Sequence, residues 1–173
     1  MAIEINNKSY QREQIWLVSV LFNKERNYPL FCLFISDETD FPMTEGGKIL
    51  FFRDVDFINL LNNFGLSLSI NNIYQELDFV YNINYVIDII KYKKNEESSY
   101  LLDSINILCD ITNELNILWP AQYKKRLNDI ADYLTFNSDI SKFLEGNGIS
   151  EEDVLECIYW LNGAIFSNCI IKK

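Results

Sequence analysis

Two runs of eight residues, "IWLVSVLF" at 15–22 and "PLFCLFIS" at 29–36, constrain this chain more than anything else in it. Both are rich in aliphatic, β-branched and aromatic residues, short, and bounded by polar segments, as buried strands are. The polar connection between them, "NKERNY", has hairpin length, so the two runs are expected to pair antiparallel. A third strand is expected at "KILFFR" (48–53), after the double glycine Gly46-Gly47. Glycines that cradle a phosphate follow a strand and open a helix, where free amides and the positive helix end meet the anion. Gly46 and Gly47 instead precede a strand and follow acids, so they are read as a turn.

Beyond that strand the period changes. Phe57, Leu60, Leu61 and Phe64 stand at helical spacing, with Asp54 as a candidate cap and Gly65 as the stop. "LSLSI" (66–70) alternates as a short strand does, and "NYVIDIIKYKK" suits a strand or a helix, with a helix from about residue 84 preferred. The polar tract "NEESS" is expected to be the main loop or hinge. Everything after it has helical spacing: Leu101, Ile105, Leu108, Thr112 and Leu115 on one helix, then Tyr123, Leu127, Ile130, Ala131 and Leu134 on another that starts after Pro120. A short helical segment, "DISKFLEGNG", ends at glycine. In the last helix Ser150 and Asp153 approximate a capping box, and Val154, Ile158, Leu161 and Ile165 form the apolar stripe.

The expected fold is therefore α+β. An antiparallel sheet of three to four strands at the N-terminus packs against a mainly helical C-terminal half. With 173 residues the chain suits one domain over 1–173, strand-rich at 1–70 and helical at 84–168.

Several function classes are excluded by what the residues can do. Histidine is absent, which removes histidine-based triads and the commonest nitrogen ligand for metals. Serine lacks a Gly-x-Ser-x-Gly elbow, and a cysteine nucleophile would lack its base. The formal charge of −10 repels phosphate backbones and anionic membranes, and "KYKK" and "KKR" are too short to reverse it locally. No apolar run approaches the ~20 residues that a membrane-spanning helix needs. "MAIEINNKSYQREQ" has none of the features of a secretory signal, so a cytoplasmic location is expected. The four cysteines never reach Cys-x-x-Cys spacing and are read as reduced thiols, with Cys169 the most exposed.

The remaining candidates are carboxylates. Asp37, Glu38, Asp40 and Glu45 crowd one loop but lack the register and central glycine of a calcium site, so they are read as an acidic rim rather than metal ligands. Asp78, Asp88 and Asp110 lie within apolar stretches and are the acids to test for a desolvated catalytic pair, with Asp103 seven residues before Asp110 on one side of the same helix; positions at element ends or facing water account for them more simply. Glu152, Glu156 and Tyr159 fall on the outer side of the last helix, acids beside an aromatic, which suits a basic protein surface. No catalytic residue, metal or cofactor is assigned, and the oligomeric state is left open.

The strands "WLVSV", "PLFCLFIS" and "KILFFRD" ahead of a helical half, in a small acidic chain, resemble the immunity proteins that bacteria keep against polymorphic or contact-dependent toxins. The resemblance implies a non-enzymatic inhibitor that binds one cognate, basic toxin stoichiometrically and covers its working surface. It carries no functional residue over to this chain. The partner is expected to be such a toxin or another basic protein; an adaptor or interaction module of unknown partner and a small carboxylate-dependent hydrolase are the alternatives.

Overall fold

The computed structural model describes residues 8–23 and 28–172, together with the backbone of residues 2–5. The chain forms two compact units: the described residues up to Tyr81 together with 168–172, and Asn82–Ser167.

The first unit is built on β-strands. β1 (Ala2–Ile5) and β2 (Lys8–Gln11) form an antiparallel pair that the sequence reading did not anticipate. β3 (Ile15–Leu21) and β4 (Leu30–Ser36) are the two apolar runs, paired antiparallel as expected, with Ile15 opposite Ile35 and Val20 opposite Leu30. Most of their connection, 24–27, lies outside the described residues. β5 (Asp40–Pro42), β6 (Thr44–Glu45) and β7 (Lys48–Phe52) follow, and Gly46 and Gly47 turn the chain between β6 and β7 at φ of 58° and 74°.

Helix α1 (Asp54–Asn63) comes next. Its N-cap is Arg53 rather than Asp54; Asp54 lies inside the first turn, where its carboxylate accepts the Val55 N–H. Gly65, at φ 82°, ends it as expected. Phe57 stacks on Phe31 of β4 at 5.3 Å between ring centroids and meets Phe52 at 6.0 Å, which seats the helix on the sheet.

The expected strand at 66–70 is absent. Asn62 donates its amide to the Leu68 carbonyl and accepts the Leu68 N–H, so one side chain takes both bonds that a neighbouring strand would have made. Ser69 then bonds to Asn72 and the chain turns into a single 3₁₀ turn, Ile73–Gln75. The alternation did mark burial, since Leu66 and Leu68 pack on the core.

β8 (Phe79–Asn82) joins β3, and β9 (Cys169–Lys172) runs parallel along β7; neither was anticipated. The Ile49 N–H donates to the Asn168 carbonyl and the Leu50 N–H to the Met43 carbonyl, so β7 is bonded on both sides. The sheet is therefore mixed rather than purely antiparallel, with order β6-β7-β4-β3-β8 and β5 and β9 on β4 and β7. One core cluster, with Ile15, Leu17, Phe31, Leu33, Phe57, Leu61 and Ile73, fills the space under α1 and the 66–77 segment. On other positions of the strands Phe22 meets Phe51 and Tyr81 at 5.3 and 5.9 Å.

The second unit is helical: α2 (Ile83–Tyr92), α3 (Ser98–Glu114), α4 (Ala121–Phe136), α5 (Ile140–Asn147) and α6 (Glu151–Ser167). Asn82 caps α2 by accepting the Asn84 and Tyr85 N–H groups. The tract "NEESS" is no hinge. It forms a 3₁₀ turn and the start of α3, and Asn95 pins it to α5 by donating to Asp139 and accepting the Ile140 N–H. The apolar stripes of α3, α4 and α6 are buried where their spacing put them, except that Leu115, the C-cap of α3, and Ala131 are half-buried, and α6 lies against α2, α3 and α4. Its Ser150/Asp153 capping box is formed in both directions.

Candidate functional site

Three consecutive acids open α6, and the structure treats them differently. Glu151 pairs with Lys93 at 3.0 Å, and its carboxyl is held below the usual range by its own backbone amide and by Lys93. Asp153 is held down by Ser150 in the capping box and lies 3.5 Å from Arg126. Glu152, between them, is exposed and has no ion pair among the described residues.

One turn further on, Glu156 accepts a hydrogen bond from the Tyr123 hydroxyl, which pushes that hydroxyl's pKa up. Tyr123 also meets Trp160 edge-on at 6.0 Å. Like Glu152, Glu156 has no ion pair among the described residues. With Tyr159, Leu155 of α6 and Lys91 of α2, the two glutamates line a shallow depression of about 390 Å³. Leu155 is buried, so the depression has an apolar floor, an acidic wall and an aromatic flank. Such a surface accepts a cationic side chain whose stem packs on Leu155 and whose head reaches carboxylate or ring.

The acidic loop is arranged otherwise. Asp37 lies 3.6 Å from Lys8, and Glu45 bonds to Lys172, so both have counter-cations within the chain. Glu38 is exposed in the bend, and Asp40, also exposed, opens β5 opposite Ser36. Among the described residues no group of three or more Cys, Asp or Glu side chains is placed to hold a metal ion.

The four aspartates of the apolar stretches are not interior acids: only Asp110 is half-buried, and Asp78, Asp88 and Asp103 are exposed. Asp78 accepts the Leu17 N–H at 2.7 Å and lies 3.7 Å from Arg12. Partial desolvation pushes the Asp103 carboxyl up. None of the four lines either depression described here. None of the four cysteines forms a disulfide. Cys32 and Cys157 are buried; Cys169 is half-buried like Cys109, so it does not stand out as the exposed thiol.

A second hollow, of about 240 Å³, was not legible in the sequence. Tyr28, Phe31, Arg53, Asp54 and Tyr74 line it, and the Arg53 guanidinium lies over the Tyr28 ring at 5.9 Å. These residues come from three separate segments that no local pattern connects.

Compared with known proteins, the chain matches no protein-family model, no curated protein and no solved structure.

Proposed function

We propose that this protein is a non-enzymatic inhibitor of the immunity type, which binds a basic protein, a cognate toxin, through the acidic depression on α6. The observation that carries the reading is the selective treatment of charge there. Neighbouring acids Glu151 and Asp153 have counter-cations in Lys93 and Arg126, whereas Glu152 and Glu156 have no ion pair among the described residues and stand beside an exposed tyrosine and an apolar floor. The loop acids Asp37, Glu38, Asp40 and Glu45 add to the negative field and so to the rate of encounter, but two of them are already paired.

The test is binding to the product of the gene adjacent to its own, measured by calorimetry at low and high salt, with Glu152→Lys/Glu156→Lys as the variant. Affinity is expected to fall with salt and by at least about tenfold on charge reversal, roughly 1.4 kcal/mol. Affinity indifferent to both dismisses the electrostatic reading. Binding that leaves the partner's toxicity intact identifies an adaptor instead.

A further inference from the structure

We infer that the exposed seam of α6 docks one amphipathic helix of the basic partner, laid across Gly163 with its cationic residues over Glu152 and Glu156. The inference rests on the proposed function for the partner's charge and adds the form of the element that binds.

The solvent-facing residues of α6 are Glu152, Glu156, Tyr159, Gly163, Phe166 and Ser167. The first five follow one another at intervals of four, three, four and three. That is the mean period of about 3.5 at which a seam stays turned toward a second helix. The rest of α6 is buried or half-buried, so the seam is a narrow ridge rather than a generally polar face. Its chemistry changes along its length. Carboxylates occupy the first half, Tyr159 stands 44% exposed in the middle, and Phe166 is 38% exposed near the end.

Gly163 lies between the two rings. Glycine inside a helix weakens it relative to alanine, and nothing inside this molecule asks for one. Its φ is not in the left-handed region, and a Cβ built there meets nothing within 4 Å. The absent side chain makes sense toward the outside: between two rings it leaves a hole that a facing side chain fills, as knobs fill holes between paired helices. An extended peptide gains affinity by adding to a sheet edge, which a helix does not offer, and an anionic lipid surface is repelled by the two glutamates. The surface therefore fits a helix with arginine or lysine at one end of its seam and leucine or phenylalanine at the other.

The probe is a synthetic helical peptide of about 20 residues, long enough to hold a helix. It carries arginines a turn apart and leucines on the next two turns, and it is compared with a scrambled peptide of identical composition. Calorimetry at low ionic strength is expected to show the ordered peptide binding at least about tenfold more tightly than the scrambled one. Gly163→Leu is expected to weaken it by at least about tenfold. Gly163→Ala is expected to weaken it about threefold while raising Tm by about 2–4 °C, opposite directions that a purely internal role cannot produce. No binding, equal binding of the scrambled peptide, or full binding by Gly163→Leu overturns the inference. If Glu152→Lys/Glu156→Lys still weakens the adjacent gene product in that case, the acidic reading stands alone; if it changes nothing, both fall.

Discussion

Asp78 does in the sheet what a backbone carbonyl does elsewhere, and replacing it should show how much that is worth. Its carboxylate accepts the Leu17 N–H at 2.7 Å while its own N–H donates to the Leu17 carbonyl at 2.8 Å, so the pair closes a ladder rung beside β8 with a side chain. Leu17 is 1% exposed, and Asp78→Ala leaves its N–H without that acceptor. A buried donor stranded in this way costs about 1–3 kcal/mol. The Arg12 contact at 3.7 Å is about one-third exposed on both sides and, discounted for solvent screening, adds at most about 0.5 kcal/mol. The expected loss is therefore about 1–3.5 kcal/mol for Asp78→Ala. Asp78→Asn keeps an acceptor and loses only the charge, for a loss of about 1 kcal/mol. Urea titration followed by Trp fluorescence gives the global figure, and hydrogen exchange at the Leu17 amide gives the local one. Equal costs for the two variants, or unchanged Leu17 protection in Asp78→Ala, would refute the assignment.

Two further outcomes follow from the titrating groups. Asp139, Glu151 and Asp153 are held below their ordinary values of 3.8, 4.5 and 3.8, chiefly by the Lys142 N–H, by Glu151's own amide and by Ser150 respectively. A depressed carboxyl contributes stability above its unfolded pKa and loses it as pH falls through the folded one. Thermal stability should therefore drop as pH is lowered beneath those ordinary values, and carboxyl titration by NMR should find all three low; ordinary values refute this. Burial pushes the Cys109 thiol up to about 12 and the Cys32 thiol higher still. At pH 8 the Cys109 thiolate fraction is roughly one in ten thousand, so alkylation mapped by mass spectrometry should leave both cysteines unmodified until the protein unfolds.

The sequence made legible whatever depends on one segment's own period. The β3–β4 hairpin, α1 with its Gly65 stop, and the stripes of α3, α4 and α6 each carry their burial pattern internally, and all stand where spacing put them. What stayed hidden depends on a distant partner. β9 is a run of four residues that means nothing until β7 is beside it, and the strand expected at 66–70 fails because Asn62 takes the Leu68 bonds first. The α6 seam was visible as Glu152, Glu156 and Tyr159 at helical intervals. Its meaning was not, because the counter-cations that neutralise Glu151 and Asp153 come from α4 and from the turn after α2. The Tyr28–Tyr74 hollow had no signal for the same reason.

The parallel strand β9 also sets an order of assembly. Ile49 of β7 is paired with Cys169, so one flank of β7 is empty until roughly 120 more residues have been made, some 6–24 s at ordinary rates of synthesis. During that interval the nascent sheet exposes a row of unpaired amides to any extended chain nearby. The sheet of the first unit therefore closes only after the intervening helical unit has been made, and until β9 arrives its β7 flank is open to pairing with a neighbouring nascent chain.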